Sequence, residues 1–232
     1  MGVRDVVGVL NGAVQVSAPG RGEPRCWVNA GWSRSVDLEG APQWTSLDPG
    51  ASDAEEVRGL VAVLVAADSA RSAKAQVAGF LLDVWCLGVK NALPPEPMTP
   101  SQLAAHRPAY FSAFEGHVQV PAELVRALVF GAADYARELG FAPEADFDAA
   151  AAVLGEPAGP CPIRFGRDGK PFYVNGPYDD PEAIVRTLRH RVGDDGFHYA
   201  VAFPEQPRRR RLFGGAPVAV RGRGPSGDHP GG

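Results

Sequence analysis

Twenty residues, Cys161 to Asp180, read CPIRFGRDGKPFYVNGPYDD, and every local signal in them points to the same structure. Ile163 and Phe165 alternate with Pro162 and Arg164, and Phe172 and Val174 flank Tyr173, which is the period of two half-buried strands. Between them, Asp168-Gly169 supplies residues that tolerate a positive φ. The segment therefore predicts a hairpin closed by a loop from Gly166 to Gly169. Asp180 before Pro181 offers a side-chain acceptor and a preset φ, so a helix is expected from Pro181 to about Val192.

The body upstream reads as helical. Ser52 and Glu55 have the spacing of a capping box and predict a helix to about Ala67. From Ala75 to Asn91, wrapped at 100° per residue, apolar side chains cover almost the whole circumference. Val77, Phe80, Leu81 and Val84 fall on one side and Leu82, Trp85, Cys86 and Val89 on another. That pattern predicts the central helix of a bundle. One narrow polar seam interrupts it, carrying Gln76, Asp83 and Lys90. Seven helical residues rise about 10.5 Å, too far for Asp83 and Lys90 to pair directly. Each buried member of the seam then needs a partner from another element. Thr99, Pro100 and Gln102 stand in register as cap, first-turn proline and capping-box partner of a helix ending near Phe114. Val120-Pro121 opens another that Gly140 stops after Leu139, and Asp146 caps a short one ending at Gly155.

Residues 5 to 16 hold an Asn11-Gly12 turn signal between β-branched residues and read as a short hairpin, and Cys26 to Trp32 reads as a further strand. Trp27, Trp32 and Trp44 are expected to pack their indoles on the core. Phe197 to Phe203 reads as a strand joining the later hairpin in a three-stranded sheet. Eleven of the last 26 residues are Gly or Pro with no periodic face, which predicts a disordered tail. The expected fold is thus α+β: a mainly helical bundle centred on Ala75 to Asn91, a small C-terminal antiparallel hairpin and sheet, and a short N-terminal β segment. The expected division is 1–50, 51–204 and 205–232.

The hydrophobic content of 45% is that of a globular protein, and the longest apolar run, Leu60 to Ala67, is far shorter than the roughly 18 residues a membrane helix requires. No membrane partner is expected. Met1 to Val16 has no basic start and is broken by Asp5, Asn11 and Gln15, so a cytoplasmic location is expected. Cys26, Cys86 and Cys161 are odd in number and widely spaced, which supports neither a disulfide framework nor a zinc knuckle. Residues 207 to 232 contain six Arg and one Asp, a net of +5, so residues 1 to 206 carry −9 of a chain whose total is −4. An acidic body is a poor surface for a nucleic-acid backbone, and a nucleic-acid partner would have to use Arg208, Arg209, Arg210 and Arg211 in the tail.

Few residues suggest chemistry. Gly166 to Lys170 has the wrong spacing for a phosphate loop, with Pro171 where Ser or Thr is required. Arg164, Arg167 and Lys170 remain as candidate anion contacts at the hairpin tip. The histidines form no ligand pair, and Cys86 sits among apolar neighbours as an inert thiol would, so neither metal nor cofactor is expected. Asp83 is a candidate acid or base if burial raises its pKa, although a structural polar contact is the commoner role for such a group.

Three motifs, LGVKNA (87–92), ELGFAPEADF (138–147) and FGRDGKPFYVNGPYDD (165–180), together resemble a set of uncharacterised bacterial proteins with the same motif order. The resemblance spans roughly residues 70 to 190 and implies a shared helical core. Those proteins carry a His near the position of Glu144 or Ala145, which this chain lacks. The leading functional expectation is a noncatalytic cytosolic adaptor or regulatory subunit whose hairpin and tail engage another protein. The alternatives are an enzyme or nucleotide-binding component with a pocket at Asp83 and Lys90, and nucleic-acid binding through the tail.

Overall fold

The computed structural model describes residues 9–10, 13–14, 22–48, 59–157 and 159–200. All lie in the first of two units, Met1–Ala202 and Phe203–Gly232. The tail arginines Arg208 to Arg211 and the proposed cap at Ser52 and Glu55 fall outside the described residues.

In chain order, β1 (Val9–Leu10) pairs antiparallel with β2 (Ala13–Val14) across the Asn-Gly signal. Strand β3 (Arg25–Asn29) follows, then two 3-10 turns at Trp32–Ser35 and Pro42–Leu47. Next come β4 (Leu60–Asp68), β5 (Ala75–Asp83), β6 (Gly88–Met98), α1 (Pro100–Tyr110), β7 (His117–Val120), α2 (Ala122–Glu138) and α3 (Phe147–Ala151). The described chain closes with β8 (Phe172–Val174), α4 (Pro181–Val192) and β9 (His198–Ala200).

The centre of the molecule is a five-stranded antiparallel sheet in the order β6-β5-β4-β3-β7, and this overturns the expected helical bundle. Ala75 to Asn91 forms no helix: it is most of a β5–β6 hairpin whose strands meet at Val84–Leu87. Residues 60 to 68 are likewise strand. The reason lies in what covers the sheet. Val61, Val63 and Val65 of β4 join Phe80 and Leu82 of β5 beneath α2 and α3. The alternate residues Ala62, Leu64, Ala66 and Val77 face Leu103, Tyr110 and Phe111 of the α1 region on the other side. A strand buried on both faces loses the polar-apolar alternation and shows a continuous apolar run, as a buried helix does. Each fully buried Val, Leu or Phe in these layers contributes roughly 1.5–3 kcal/mol of apolar transfer.

The indoles complete the two layers as expected. Trp27 lies on the α1 side beneath the Arg107 guanidinium, while Trp32 and Trp44 lie on the other, all three buried. The buried Asn29 amide ends β3 by accepting the Ala62 N–H at 2.8 Å. At Gly79 the β5–β6 register slips, and the missing side chain leaves room for Tyr110. The Tyr110 hydroxyl lies 3.0 Å from both the Val63 and Phe80 carbonyls, and its single proton serves one at a time. Pro94, Pro95 and Pro97 occupy the β6 edge, where they withhold the donors that a further strand needs.

The C-terminal sheet also differs from expectation. Arg167 and Lys170 do pair across Asp168 (φ 53°) and Gly169 (φ 77°), the two positive values that a tight hairpin turn uses. The arm before the turn, however, bonds to another segment: Arg164 and Asp37 exchange both backbone bonds, at 3.0 and 3.1 Å. Gly166 at φ 90° turns the chain away, and a Cβ there would lie 2.7 Å from the Lys170 carbonyl. Strand β8 instead pairs in parallel with β9, with α4 as the crossover. Helix α4 begins as expected, with Asp180 accepting the Ala183 N–H at 3.1 Å. Helix α1 carries the full Thr99–Gln102 capping box.

Gly88 separates the two readings of residues 75–91. In a helix, Gly88→Ala would stabilise by about 1 kcal/mol. In the observed turn φ is 67°, and the new Cβ would stand 2.5 Å from Ala136 Cβ and 2.7 Å from the Ala132 carbonyl. Gly88→Ala is expected to lower the unfolding free energy in urea by about 3 kcal/mol, and a gain would contradict the turn.

Candidate functional site

The turn between β5 and β6 is built on Asp83. Its side chain is 6% exposed, and its Oδ1 accepts the backbone N–H groups of Trp85 and Cys86, each at 3.0 Å. Burial pushes the carboxyl up to about 6, against the opposing pull of the Lys90 charge and the backbone donors. Cys86 beside it is fully buried and its thiol is held far above the ordinary range, chiefly by burial, which leaves it no thiolate for chemistry.

Lys90 finds its partner where the seam required one, on another element. Its Nζ lies 3.0 and 2.9 Å from the two carboxylate oxygens of Asp179. Asp179 Oδ2 also accepts the Gly176 N–H at 2.7 Å and the Tyr173 hydroxyl at 3.3 Å. The ion pair is largely enclosed, with side chains 20% and 12% exposed. Gly176 passes so close that a Cβ would lie 3.0 Å from Lys90 Nζ. All these groups hold one another, and neither Asp83 nor Lys90 is among the residues lining the cleft beside Arg167.

The segment around Arg167 docks on the outside of the same turn. Gly166 donates to the Val84 carbonyl at 2.9 Å and Phe172 to the Trp85 carbonyl at 3.1 Å. Trp85 is fixed from three directions: its Nε1 donates to the Ser35 carbonyl at 3.0 Å, Gly59 leaves space against the indole, and Phe172 stacks at a tilt, 5.5 Å between centroids. Above these rings lies Arg167, its guanidinium carbon 5.1 Å from the Trp85 centroid and 5.0 Å from that of Phe172. A cleft of about 600 Å³ opens here, between residues 34–37 and the 164–169 turn. Arg34, Arg164 and Arg167 line it with Asp37 and Asp168, and Val36, Phe165 and Trp85 supply the apolar wall.

The candidate residues thus separate. Arg164 and Arg167 share the cleft, but Arg164 is bound to Glu39 at 2.9 Å and Asp37 at 3.4 Å. Lys170 points elsewhere and donates to the Asp195 carbonyl at 3.1 Å. Asp83 and Lys90 stand behind the Trp85 turn. Trp85, Phe172 and Asp179 were not singled out in the sequence as site residues. Trp85 lies in a stretch whose apolar pattern reads as helix, and of the two acidic residues before Pro181 only the second, Asp180, holds the cap position that local sequence marks. Glu144 donates its N–H to the Val89 carbonyl of β6 at 3.3 Å, while the 165–180 segment supplies the bonds that dock on the turn. Among the described residues, no group of three His, Cys, Asp or Glu is placed to hold a metal ion. Nor is any helix there long and apolar enough to cross a membrane. No family model, curated protein or solved structure matches the chain.

Two measurements test the structural assignment of these groups. The Asp83 pKa is raised on folding, so its favourable contribution is present below pH 4 and lost as pH rises through about 6. Asp83→Asn keeps an acceptor for the turn without the charge. Relative to wild type it should gain on the order of 3 kcal/mol in urea unfolding between pH 4 and pH 7.5, and a constant difference would refute the burial penalty. For the ion pair, Asp179→Ala alone should cost about 3 kcal/mol because it strands a buried ammonium. Adding Lys90→Met should restore part of that loss, and strict additivity would show the pair to be uncoupled.

Proposed function

We propose that the protein is a noncatalytic adaptor or regulatory subunit that engages another protein through the 164–169 turn and the cleft beside it. The observation that carries this reading is the state of Arg167. Its guanidinium carbon lies 5.1 and 5.0 Å from the centroids of two rings and the group forms no ion pair among the described residues, although the side chain is exposed. A planar cation held in place at a cleft mouth, over an aromatic wall, has the character of a binding anchor. The groups that would serve catalysis are engaged elsewhere: Asp83 in its turn, Lys90 on Asp179, and Cys86 in the core. A cytoplasmic setting belongs to the same reading, and the three unpaired thiols suit a reducing compartment.

Affinity capture with wild-type protein, Arg167→Ala and a chain ending at Ala202, followed by mass spectrometry, tests the proposal. One protein should be retained by the wild type and depleted at least about tenfold by Arg167→Ala, with the melting temperatures of the two forms compared. Equal recovery with both would remove the cleft as the contact. A loss confined to the shortened chain would transfer the contact to the tail, and steep salt dependence of that binding would identify a nucleic-acid partner.

A further inference from the structure

The C-terminal part of the described chain rests on the central sheet through a small core of its own. Tyr173 of β8, Leu188 of α4 and Phe197 before β9 meet Cys86 of the β5–β6 turn and Leu139 at the end of α2. These buried residues form a cluster separate from the two that cover the faces of the sheet. The remaining attachments at the turn are polar. Gly166 donates to the Val84 carbonyl, Phe172 to the Trp85 carbonyl, and Lys90 holds Asp179. Asp83, 6% exposed, is enclosed at this same turn.

The surroundings of Asp83 satisfy its hydrogen bonds but not its charge. Its Oδ1 takes the Trp85 and Cys86 N–H groups, while among the described residues no cation forms an ion pair with it, since Lys90 sits on Asp179. The titratable groups that face it come from four directions: Lys90 on β6, Cys86 in the turn, Tyr135 on α2 and Tyr173 on β8. Burial pushes the Cys86 thiol and both phenols upward, so all three stay neutral. Strand β4 places only Leu60 opposite Asp83. A buried carboxylate without its own counterion gains most from any motion that admits water. We propose that residues 166–200 form a proton-gated cover, which lifts from the β5–β6 turn as a unit and does so more readily when Asp83 is charged. The sign follows from the docked state, in which burial holds Asp83 up at about 6. Docking is firmest below the ordinary carboxylate range and weakens as pH rises through about 6. Arg167 and Phe172 travel with the cover, so the device governs the cleft whatever the cleft binds.

Native-state hydrogen exchange of the full chain, corrected for the intrinsic rate at each pH, reads the opening at the Gly166 and Phe172 amides. Both should be less protected than the Val63 amide at the centre of the sheet. Their protection should fall about tenfold from pH 5 to pH 7.5, while the NMR signal of the Asp83 carboxyl carbon titrates over the same range. In Asp83→Asn the fall should disappear. His190 and His198 remain in that variant, so a change that either of them causes would persist. Arg167→Ala should keep the fall, which separates this outcome from that of the capture experiment: loss of the partner leaves the gate intact, and loss of the gate leaves the contact intact. Protection equal to that of Val63 would show that the segment opens only with the whole molecule and would overturn the proposal. Protection constant with pH, an Asp83 signal titrating in the ordinary carboxylate range, or an undiminished fall in Asp83→Asn would do the same. If Asp83→Asn does not fold, the wild type decides, by whether the Asp83 titration and the change in protection share one midpoint.

Discussion

A single buried carboxylate organises the side of the molecule that carries the candidate site. Asp83 gathers the N–H groups of Trp85 and Cys86 and so fixes the shape of the β5–β6 turn. Two consequences follow from that shape. The carbonyls of Val84 and Trp85 point outward to receive Gly166 and Phe172, and the indole of Trp85 becomes the platform for Arg167. The cost is a charge confined away from water, which the raised pKa records. An unsatisfied backbone donor in the same place would also be expensive, about 1–3 kcal/mol for each N–H. The carboxylate is therefore the better of two poor options for a turn enclosed on every side.

Packing around this turn relies on close approach. Gly88 lets the strand start against Ala132 and Ala136 of α2, and Gly131 on the same helix admits Cys161 and Phe165. A Cβ at Gly131 would stand 2.5 Å from the Cys161 sulfur. Helix α2 is thus pressed by the sheet on one side and by the 161–165 segment on another.

Much of the local structure was legible in the sequence. The capping box at Thr99 and Gln102, the Asp180 cap, the Asp168-Gly169 turn and the span of α2 all followed from residues within a few positions of one another. The central sheet was not, because Leu60 to Ala67 and Ala75 to Leu82 are covered on both faces and so carry no period-two signal. The requirement that Lys90 find a remote partner was readable from its apolar surroundings, but the identity of Asp179 was not, since nothing local links two residues so far apart. Arg167 was visible as a loop cation. Its stacking on Trp85 depended on a turn that a helical reading of 75–91 does not contain.

The bond from Lys90 to Asp179 joins residues 89 positions apart in the chain. On a ribosome adding about 5–20 residues per second, Lys90 waits roughly 4 to 18 s for its counterion. During that interval the hairpin tip has neither β8 nor the 165–180 segment over it, and Trp85 lacks the Phe172 ring and the Arg167 cation. The five-stranded sheet and α2, by contrast, are complete by residue 138. The strands of the sheet and α2 are therefore synthesised before the 164–179 residues that cover the hairpin tip.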